Sequence, residues 1–315
     1  MEKKILHFVI IALAGFTAWA KKPPRNFLFL SGPILENMYL VNRSDIKGVQ
    51  MVYNWKSLET AEDIYDFSAI IRDLKILDSL HKKLFIQIQD RFFEPEARNV
   101  PSYLFSGKQY KGGLARQVDN PGENLPKVYG WVAMQWNPAV QLRYQKLLEA
   151  LALEFDGKIY GVNLPETSID IDRNDPSYGF SCDQYFEAEI ANMKFARKLF
   201  AKSYVVQYVN FFPCEWNNDK HYMSRLFEAA AASGIGLGGP DIIPGRKAHM
   251  KNSYPFFHKY KDKLELVAMA VQEPTLTYEN PLSNAPFTRM EFTSYAQDFL
   301  GADIIFWSGS APWLL

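Results

Sequence analysis

The chain has 315 residues and a formal net charge of zero, because 35 basic residues balance 35 acidic ones. This balance gives no sign of the basic stripe that binds nucleic acid, so we expect no nucleic-acid partner. Aromatic residues make up 15% of the sequence, which suits either rings exposed to a ligand or a large aromatic core. The histidines are scattered without ligand spacing, and the sequence therefore predicts no metal site and no cofactor.

Residues 1–20 have the three-part pattern of a secretory signal peptide. A basic start at 1–4 precedes the apolar stretch Ile5–Gly15, and Ala18-Trp19-Ala20 matches a small-x-small cleavage site. The apolar stretch is short for a membrane span, and the alternative is an uncleaved N-terminal anchor. We therefore expect an exported protein, periplasmic or extracellular, with no transmembrane span once residues 1–20 are removed.

The sequence after residue 20 alternates short apolar runs with longer amphipathic ones. Several of the short runs are nearly continuous in apolar or aromatic residues, which is typical of parallel strands buried on both faces. The eight predicted strands are Phe27–Leu30, Val49–Tyr53, Leu84–Gln89, Ile159–Asn163, Tyr204–Val209, Ile235–Gly238, Leu264–Val271 and Asp303–Phe306. Helical patterns lie between them at Phe67–His81, Ala139–Phe155, Asp183–Ala201, His221–Ser233, Ala248–Lys261 and Thr288–Leu300.

This alternation predicts an α/β fold with right-handed crossovers. Eight strands in a chain of this length favour a (β/α)8 TIM-type barrel that occupies 21–315 as a single domain. No Gly-rich phosphate loop follows the first strand, which argues against a doubly wound open sheet. The sequence ends just after the eighth strand, so we expect a barrel without the eighth helix or a truncated chain. The long segment 91–136 is predicted to lie on the catalytic face as a functional or locally disordered loop.

Two acidic residues directly follow the fourth and seventh predicted strands. Glu166 comes after Gly161-Val-Asn-Leu-Pro, and Glu273 comes after Ala268-Met-Ala-Val-Gln. Reactive groups of such barrels stand at the C-terminal ends of the strands, and these two strands lie across the mouth from each other. Two facing carboxyls suit cleavage of a glycosidic bond, because one protonates the departing oxygen while the other attacks or supports the anomeric carbon. The alternative for each residue is a helix cap or a pair with a nearby base.

These residues resemble a known clan of enzymes. Glu at the ends of strands four and seven is the hallmark of the large clan of retaining glycoside hydrolases that includes β-galactosidases, cellulases and xylanases. The segment Trp55-Lys-Ser-Leu58-Glu59, followed by Tyr65-Asp66-Phe67, is similar to the segment after the second strand in β-galactosidase-like members. The resemblance covers most of the chain in strand order, and it supports the clan better than any one family.

The resemblance implies that Glu166 is the general acid/base and Glu273 the nucleophile, with an oligosaccharide or polysaccharide as substrate. One departure concerns the residue before the acid/base. The clan usually has Asn there, in contact with the sugar 2-hydroxyl, whereas this chain has Pro165 and carries Asn163 three residues before Glu166.

Further residues near predicted strand ends are candidates for sugar binding. Trp307 ends the eighth strand, where a Trp commonly floors the sugar site in this clan, and aromatic rings pack well on sugar CH faces. The other candidates are Asn163, Trp55, Gln89, Asp90, Tyr208, Asn210 and Asp241. For each of them the alternative is barrel packing, rim solvation or a loop hydrogen bond. Glu215, Glu59 and Glu94 are rival acids, but none has a matching partner at an opposed strand end.

Cys182 and Cys214 follow two consecutive predicted strands, which are neighbours in a barrel. An exported chain can oxidise them, so the sequence leaves open either one disulfide or two free thiols.

The leading functional hypothesis is an exported glycoside hydrolase that uses Glu166 and Glu273. The second is a non-catalytic carbohydrate-binding barrel such as a glycan receptor, which Pro165 makes credible. A barrel hydrolase acting on a non-sugar substrate would need a metal or a nucleophile–base pair, and the sequence shows neither clearly.

Overall fold

The computed structural model describes residues 22–119, 121 and 125–315, so the predicted signal peptide lies outside the described residues. Eight parallel strands close into a barrel in chain order. They are β1 (Arg25–Leu30), β2 (Ile46–Asn54), β3 (Lys83–Gln89), β4 (Gly161–Leu164), β5 (Tyr204–Tyr208), β6 (Gly236–Gly239), β7 (Val267–Val271) and β8 (Ile304–Ser308). The barrel closes through β8 and β1, with Arg25 opposite Ile304. The predicted TIM-type barrel is confirmed, and every predicted strand overlaps an observed one.

Each of the six predicted helices overlaps an observed one, and three short helices, Met38–Val41, Trp55–Leu58 and Tyr103–Ser106, were not predicted. The helices are α1 (Met38–Val41), α2 (Trp55–Leu58), α3 (Ser68–Ser79), α4 (Tyr103–Ser106), α5 (Pro138–Phe155), α6 (Cys182–Leu199), α7 (Tyr222–Ser233), α8 (Lys247–Asn252), α9 (Tyr254–Tyr260) and α10 (Arg289–Ser294). The helix predicted over Ala248–Lys261 is divided at Ser253, and α10 continues as a π-helix over Tyr295–Leu300. Residues 309–315 form turns and no helix.

Local sequence signals account for where the longer helices begin. The side chain of Asn137 accepts a hydrogen bond from the backbone N–H of Ala139, and Pro138 occupies the first turn of α5. Thr288 and Glu291 form a capping box at the start of α10. No helix within the described residues is long and apolar enough to cross a membrane.

Aromatic rings fill the barrel interior towards the N-terminal ends of the strands. Phe27, Phe85 and Phe306 meet edge to face, with ring centroids 5.2–6.0 Å apart. Tyr160 and Tyr204 pack against the same group. This aromatic plug closes one end of the barrel, so a ligand can enter the interior only from the C-terminal ends of the strands.

Segment 91–136 is folded rather than structureless over its described residues. Arg91–Phe92, Leu114–Val118 and Val128–Ala133 form a three-stranded antiparallel sheet. A bridge between Gln117 and Ile171 joins this sheet to the segment after β4. The sheet therefore stands beside the chain that carries Glu166.

Candidate active site

Glu166 lies two residues past the end of β4, at the mouth of the barrel, and is partly buried. Its Oε2 accepts a hydrogen bond of 3.4 Å from Nδ2 of Asn210, which follows β5. Burial raises the pKa of the Glu166 carboxyl, and the negative charge of Asp241 acts in the same direction. The positive charge of Arg91 and the hydrogen bonds from Ser168 and Asn210 oppose this shift without cancelling it. Glu166 is therefore placed to hold a proton at a higher pH than an ordinary glutamate.

Arg91 fixes the backbone that carries Glu166. Its guanidinium is buried and donates to the backbone carbonyl oxygens of Glu166 and Ser168, the latter at 3.3 Å. Asp90 balances its charge at 2.8 Å, and Glu189 of α6 lies 3.8 Å away. Asp90 was expected to bind a sugar hydroxyl, but it is fully buried in this ion cluster and has no surface to offer a ligand.

Glu273 begins the short 3₁₀-helix Pro274–Thr277 after β7, and its side chain is exposed. Its Oε1 accepts hydrogen bonds from the hydroxyls of Ser308, at 2.5 Å, and Ser310, at 3.4 Å. Ser308 is the last residue of β8, the strand that neighbours β7 in the barrel. Two hydroxyl donors thus orient the Glu273 carboxylate.

Asp241 connects the surroundings of the two glutamates. It follows β6, and its Oδ1 accepts a hydrogen bond from the hydroxyl of Thr275, two residues after Glu273. Its charge also acts on Glu166 and on Tyr208. The sequence-predicted residues Glu166, Asn210, Asp241 and Glu273 therefore stand along one continuous rim, over the ends of β4 to β7.

Polar side chains form a floor beneath this rim, above the aromatic plug. Nε2 of Gln50 donates to the hydroxyl of Tyr208 at 2.7 Å. Gln87 and Asn163 face each other on neighbouring strands. Neither amide atom of Asn163 has a hydrogen-bond partner within the described part of the chain, and the same holds for Oε1 of Gln50 and Oε1 of Gln87. Buried amides without partners are costly, so this floor is suited to hydroxyl groups from a ligand or to ordered water.

Gln89 lies at the same end of the barrel but is engaged with its own strand. Its Nε2 donates to the backbone oxygen of Arg91 at 2.7 Å, and its Oε1 accepts from Gln87 at 3.5 Å. The side chain is partly buried and stands above the polar floor.

Trp307 and Trp55, both expected to contact sugar, lie outside the barrel interior. On β8 the interior positions belong to Ile304 and Phe306. Because side chains alternate along a strand, Trp307 points outwards, where it packs against Trp313 at 5.2 Å and donates to Asn26. Trp55 is buried against Tyr144 of α5. The expectation of a sugar platform at either residue is therefore wrong.

Two of the rival acids have structural tasks and the third is on the surface. Glu59 is fully buried; it forms an ion pair with Arg143 and accepts from Nε1 of Trp55 at 2.8 Å. Glu215 accepts from the backbone N–H groups of Tyr222, at 2.6 Å, and Met223, at 3.1 Å, at the start of α7. Glu94 is exposed.

Cys182, at the start of α6, and Cys214, after β5, form a disulfide with a Cα–Cα separation of 6.2 Å. It joins the segment after β4, which carries Glu166, to the segment after β5, which carries Asn210. The disulfide thereby cross-links the two segments of the rim that follow β4 and β5.

Several polar residues near the rim were missed from the sequence. Gln50 and Gln87 are polar residues within otherwise apolar strands. A lone polar residue in a buried strand is the signal that could have identified them as site residues. Tyr129 donates to Asp170 at 2.8 Å and carries a raised pKa, mainly through burial, with Asp170 and Glu166 contributing. His249 has two ring nitrogens without partners among the described residues, and burial lowers its pKa. Tyr129 lies on the strand Val128–Ala133 and His249 lies in α8, and the local sequence pattern of neither element indicates that its side chain faces the site.

Within residues 22–119, 121 and 125–315, no group of three or more His, Cys, Asp or Glu side chains is arranged to hold a metal ion.

No family model matches the sequence, and no curated protein matches it either. Solved structures do resemble its fold. The catalytic domain of β-amylase from Paenibacillus polymyxa is 9% identical with a TM-score of 0.58, over 90% of this chain and 92% of that one. A family 39 glycoside hydrolase from Bacteroides cellulosilyticus is 11% identical with a TM-score of 0.53, over 91% of this chain and 56% of that one.

An old yellow enzyme homologue from Zymomonas mobilis is also similar, with 12% identity and a TM-score of 0.54, over 90% of this chain and 84% of that one. At these identities the likeness shows the barrel fold alone. The same fold carries unrelated chemistries, so the function has to be argued from the side chains at the mouth.

Proposed function

We propose that this protein is an exported glycoside hydrolase in which Glu166 is the general acid/base and Glu273 the nucleophile. The observation that carries the proposal is the partly buried Glu166 with its raised pKa, which stands with Glu273 on one rim above a floor of unpartnered amides. A carboxyl that donates a proton to the departing oxygen and a second carboxyl that attacks the anomeric carbon are the two groups that retaining glycosidic cleavage requires.

The proposed reaction has two steps. Glu166 donates its proton to the glycosidic oxygen as the bond to the anomeric carbon breaks, and an Oε of Glu273 attacks that carbon to form a glycosyl ester. In the second step the Glu166 carboxylate takes a proton from water, and the water oxygen displaces Glu273 from the anomeric carbon. The product keeps the anomeric configuration of the substrate, and Glu166 regains its proton.

The floor residues have a role in the same proposal. Ordered water on the buried amides of Asn163, Gln87 and Gln50 meets the hydroxyls of the sugar bound at the cleavage point, while Tyr208 holds Gln50 in place. The aromatic plug below them limits how deeply a sugar ring can enter. Export, periplasmic or extracellular, is part of the proposal, and it is supported by the Cys182–Cys214 disulfide, which oxidising compartments favour.

The test begins with a screen of the purified protein against chromogenic glycosides and polysaccharides. For any substrate that is cleaved, Glu166→Ala and Glu273→Ala should each abolish most hydrolysis, while the matched control Glu94→Ala keeps it. Azide should restore turnover to both variants, with a retained glycosyl azide from Glu166→Ala and an inverted one from Glu273→Ala. Proton NMR of the first product formed by the wild-type protein should show retained configuration. Near-normal hydrolysis by either glutamate variant contradicts the assignment.

A non-catalytic carbohydrate-binding barrel is the second candidate. Pro165 before Glu166 and the outward position of Trp307 favour it, since both depart from the hydrolase clan. Binding of an oligosaccharide without any cleavage, unchanged in Glu166→Ala and Glu273→Ala, would support this candidate over the hydrolase.

A further inference from the structure

A cavity of about 350 Å³ lies between α8 and the segments that follow β4 and β5, which carry Glu166 and Asn210. Its walls include Asp170 and Arg173, a few residues after Glu166, and Phe211 and Trp216, a few residues after Asn210. The hydroxyl of Thr167 donates to the backbone oxygen of Phe211 at 2.9 Å, which joins the two walls directly next to Glu166. The disulfide at Cys214 fixes one edge of the cavity.

The polar groups in this lining are already engaged with the protein. Asp170 accepts from Tyr129 at 2.8 Å, and Arg173 donates to the backbone oxygen of Pro121 at 3.0 Å. Glu215 holds backbone N–H groups of α7. Oδ1 of Asn252 accepts from the backbone N–H of Asn217 at 2.9 Å. A sugar ring needs several free donors and acceptors for its hydroxyls, and this lining offers few.

The part of the cavity lining that remains available to a ligand is mainly apolar. Ile169 and Ile171 are buried in the wall, and Phe211 is half-buried. Trp216 is 53% exposed although it is a large ring, and Lys251 lies 5.3 Å from the ring centroid. An exposed indole at the edge of an apolar cavity is a surface on which a planar ring stacks well.

We infer that this cavity binds the leaving group of the substrate, and that the leaving group is an apolar aromatic ring stacked on Trp216. The inference rests on the proposed function, because a general acid must stand beside the departing oxygen, and the cavity lies between the segments that carry Glu166 and its hydrogen-bond partner Asn210. It deepens that function by naming the class of substrate, an aryl glycoside, in place of an unspecified glycan.

The binding test uses the full chain and free 4-methylumbelliferone, a planar aromatic alcohol, as the probe in titration calorimetry. The wild-type protein should bind it, Trp216→Ala should weaken binding at least tenfold, and Trp216→Phe should keep most of it. Phe105→Ala is the matched control, because Phe105 is an exposed ring (41%) on α4, outside this lining. Equal affinity in all four proteins, or no binding to the wild type, overturns the proposal.

A kinetic test separates this proposal from the proposed function. Trp216→Ala should lower kcat/KM about tenfold for a 4-methylumbelliferyl glycoside and leave it unchanged for the methyl glycoside of the same sugar. Hydrolysis of both substrates without any effect of Trp216→Ala refutes the aromatic subsite but leaves the hydrolase standing. Binding of the probe that depends on Trp216, without hydrolysis of any glycoside, refutes the hydrolase and leaves an aromatic-binding cavity.

Discussion

Arg91 donates a hydrogen bond from Nη1 to the backbone carbonyl oxygen of Glu166. The contact joins the second residue after β3 to the second residue after β4, and it takes place on the outer side of the barrel, out of reach of a ligand. The guanidinium of Arg91 thus orients Glu166 from the side away from the barrel mouth, and the charge of Arg91 is balanced by Asp90. Arg91 is a positioning residue for the proposed acid.

Arg91→Lys should lower kcat without changing KM. Lysine keeps the positive charge but cannot donate from a rigid planar group to two carbonyl oxygens, so the Glu166 carboxyl shifts from its position. Small misplacements of a reacting group cost on the order of 100-fold in rate, and we expect a loss between roughly tenfold and 100-fold. Steady-state kinetics on a cleaved glycoside measures this effect.

The matched control is Arg98→Lys, an arginine on the same segment that stacks on Trp131. Its kcat should stay within about twofold of the wild-type value, the ordinary scatter for a residue remote from the reacting groups. A parallel pH profile adds a second readout, because lysine retains the charge that lowers the pKa of Glu166, and the alkaline limb should not move. A raised KM with unchanged kcat would contradict a positioning role.

Glu189→Gln should remove the loss of folding stability that the wild-type protein shows as pH rises from about 4.5 to about 7. Burial raises the pKa of Glu189 from 4.5 to about 7, against the attraction of Arg91. The folded state therefore keeps a proton that the unfolded chain releases, and wild-type stability falls as pH rises from about 4.5 to about 7. The glutamine variant lacks this loss, so near pH 8 it should be more stable than wild type by up to about 3 kcal/mol.

Urea unfolding of both proteins at pH 4.5 and pH 8 measures the Glu189 effect. Glu187→Gln is the control, because Glu187 is exposed on the same helix and pairs with Arg225 at the surface. Parallel curves for wild type and Glu189→Gln across this range would show that Glu189 ionises freely in the folded state.

Asp241→Asn should move the alkaline limb of the activity profile to lower pH. Glu166 acts as a general acid only while protonated, so activity falls as pH rises through its pKa. The negative charge of Asp241 contributes to the raised pKa of Glu166, and asparagine removes that charge while its Oδ1 can still accept from Thr275. The pH dependence of kcat for both proteins provides the measurement, and an unmoved or upward-shifted limb is the contrary result.

Much of the fold was predictable from residue patterns. Buried parallel strands such as Val267–Val271 are continuous apolar runs, and helices such as Ser68–Ser79 carry an apolar residue at each turn, so the order of elements follows from the chain. The positions of Glu166 and Glu273 at the C-terminal ends of β4 and β7 follow from that order. Glu273 nevertheless stands on a 3₁₀-turn beyond the strand, which apolar periodicity does not indicate.

The direction in which an individual side chain points could not be predicted from the sequence. A one-residue change in register turns a strand residue from the interior to the outside, so Trp307 at the end of a strand had equal reason to point either way. Trp55 and Asp90 were misjudged because position after a strand does not reveal whether a side chain turns towards the mouth or towards the helices. Their buried partners, Tyr144 and Arg91, come from distant parts of the sequence.

Glu59→Gln should destabilise the fold by about 3 kcal/mol or more, because it leaves the buried Arg143 guanidinium without its closest charge partner. Glu59 also accepts hydrogen bonds from Trp55 and, at 3.0 Å, from the hydroxyl of Tyr103, so it ties the segment after β2 to α4 and α5. Glu62→Gln offers a matched control, since Glu62 is 3.7 Å from the same arginine but its side chain is 53% exposed. That substitution should cost under about 0.5 kcal/mol. Equal midpoints of chemical unfolding for the two variants would contradict this assignment.

Replacing both cysteines, as Cys182→Ser with Cys214→Ser, should lower stability by about 3–4 kcal/mol. The disulfide closes a loop with a sequence separation of 32 residues, and its main effect is to limit the unfolded chain. The same cross-link holds one edge of the cavity lined by Trp216, so the double variant should also bind 4-methylumbelliferone more weakly at temperatures where it is fully folded. Wild-type protein treated with reductant serves as the second arm, because it loses the bond without any change of sequence. If the thermal midpoint and probe affinity of both the variant and the reduced protein equal those of the oxidised protein, the disulfide contributes neither to stability nor to the cavity.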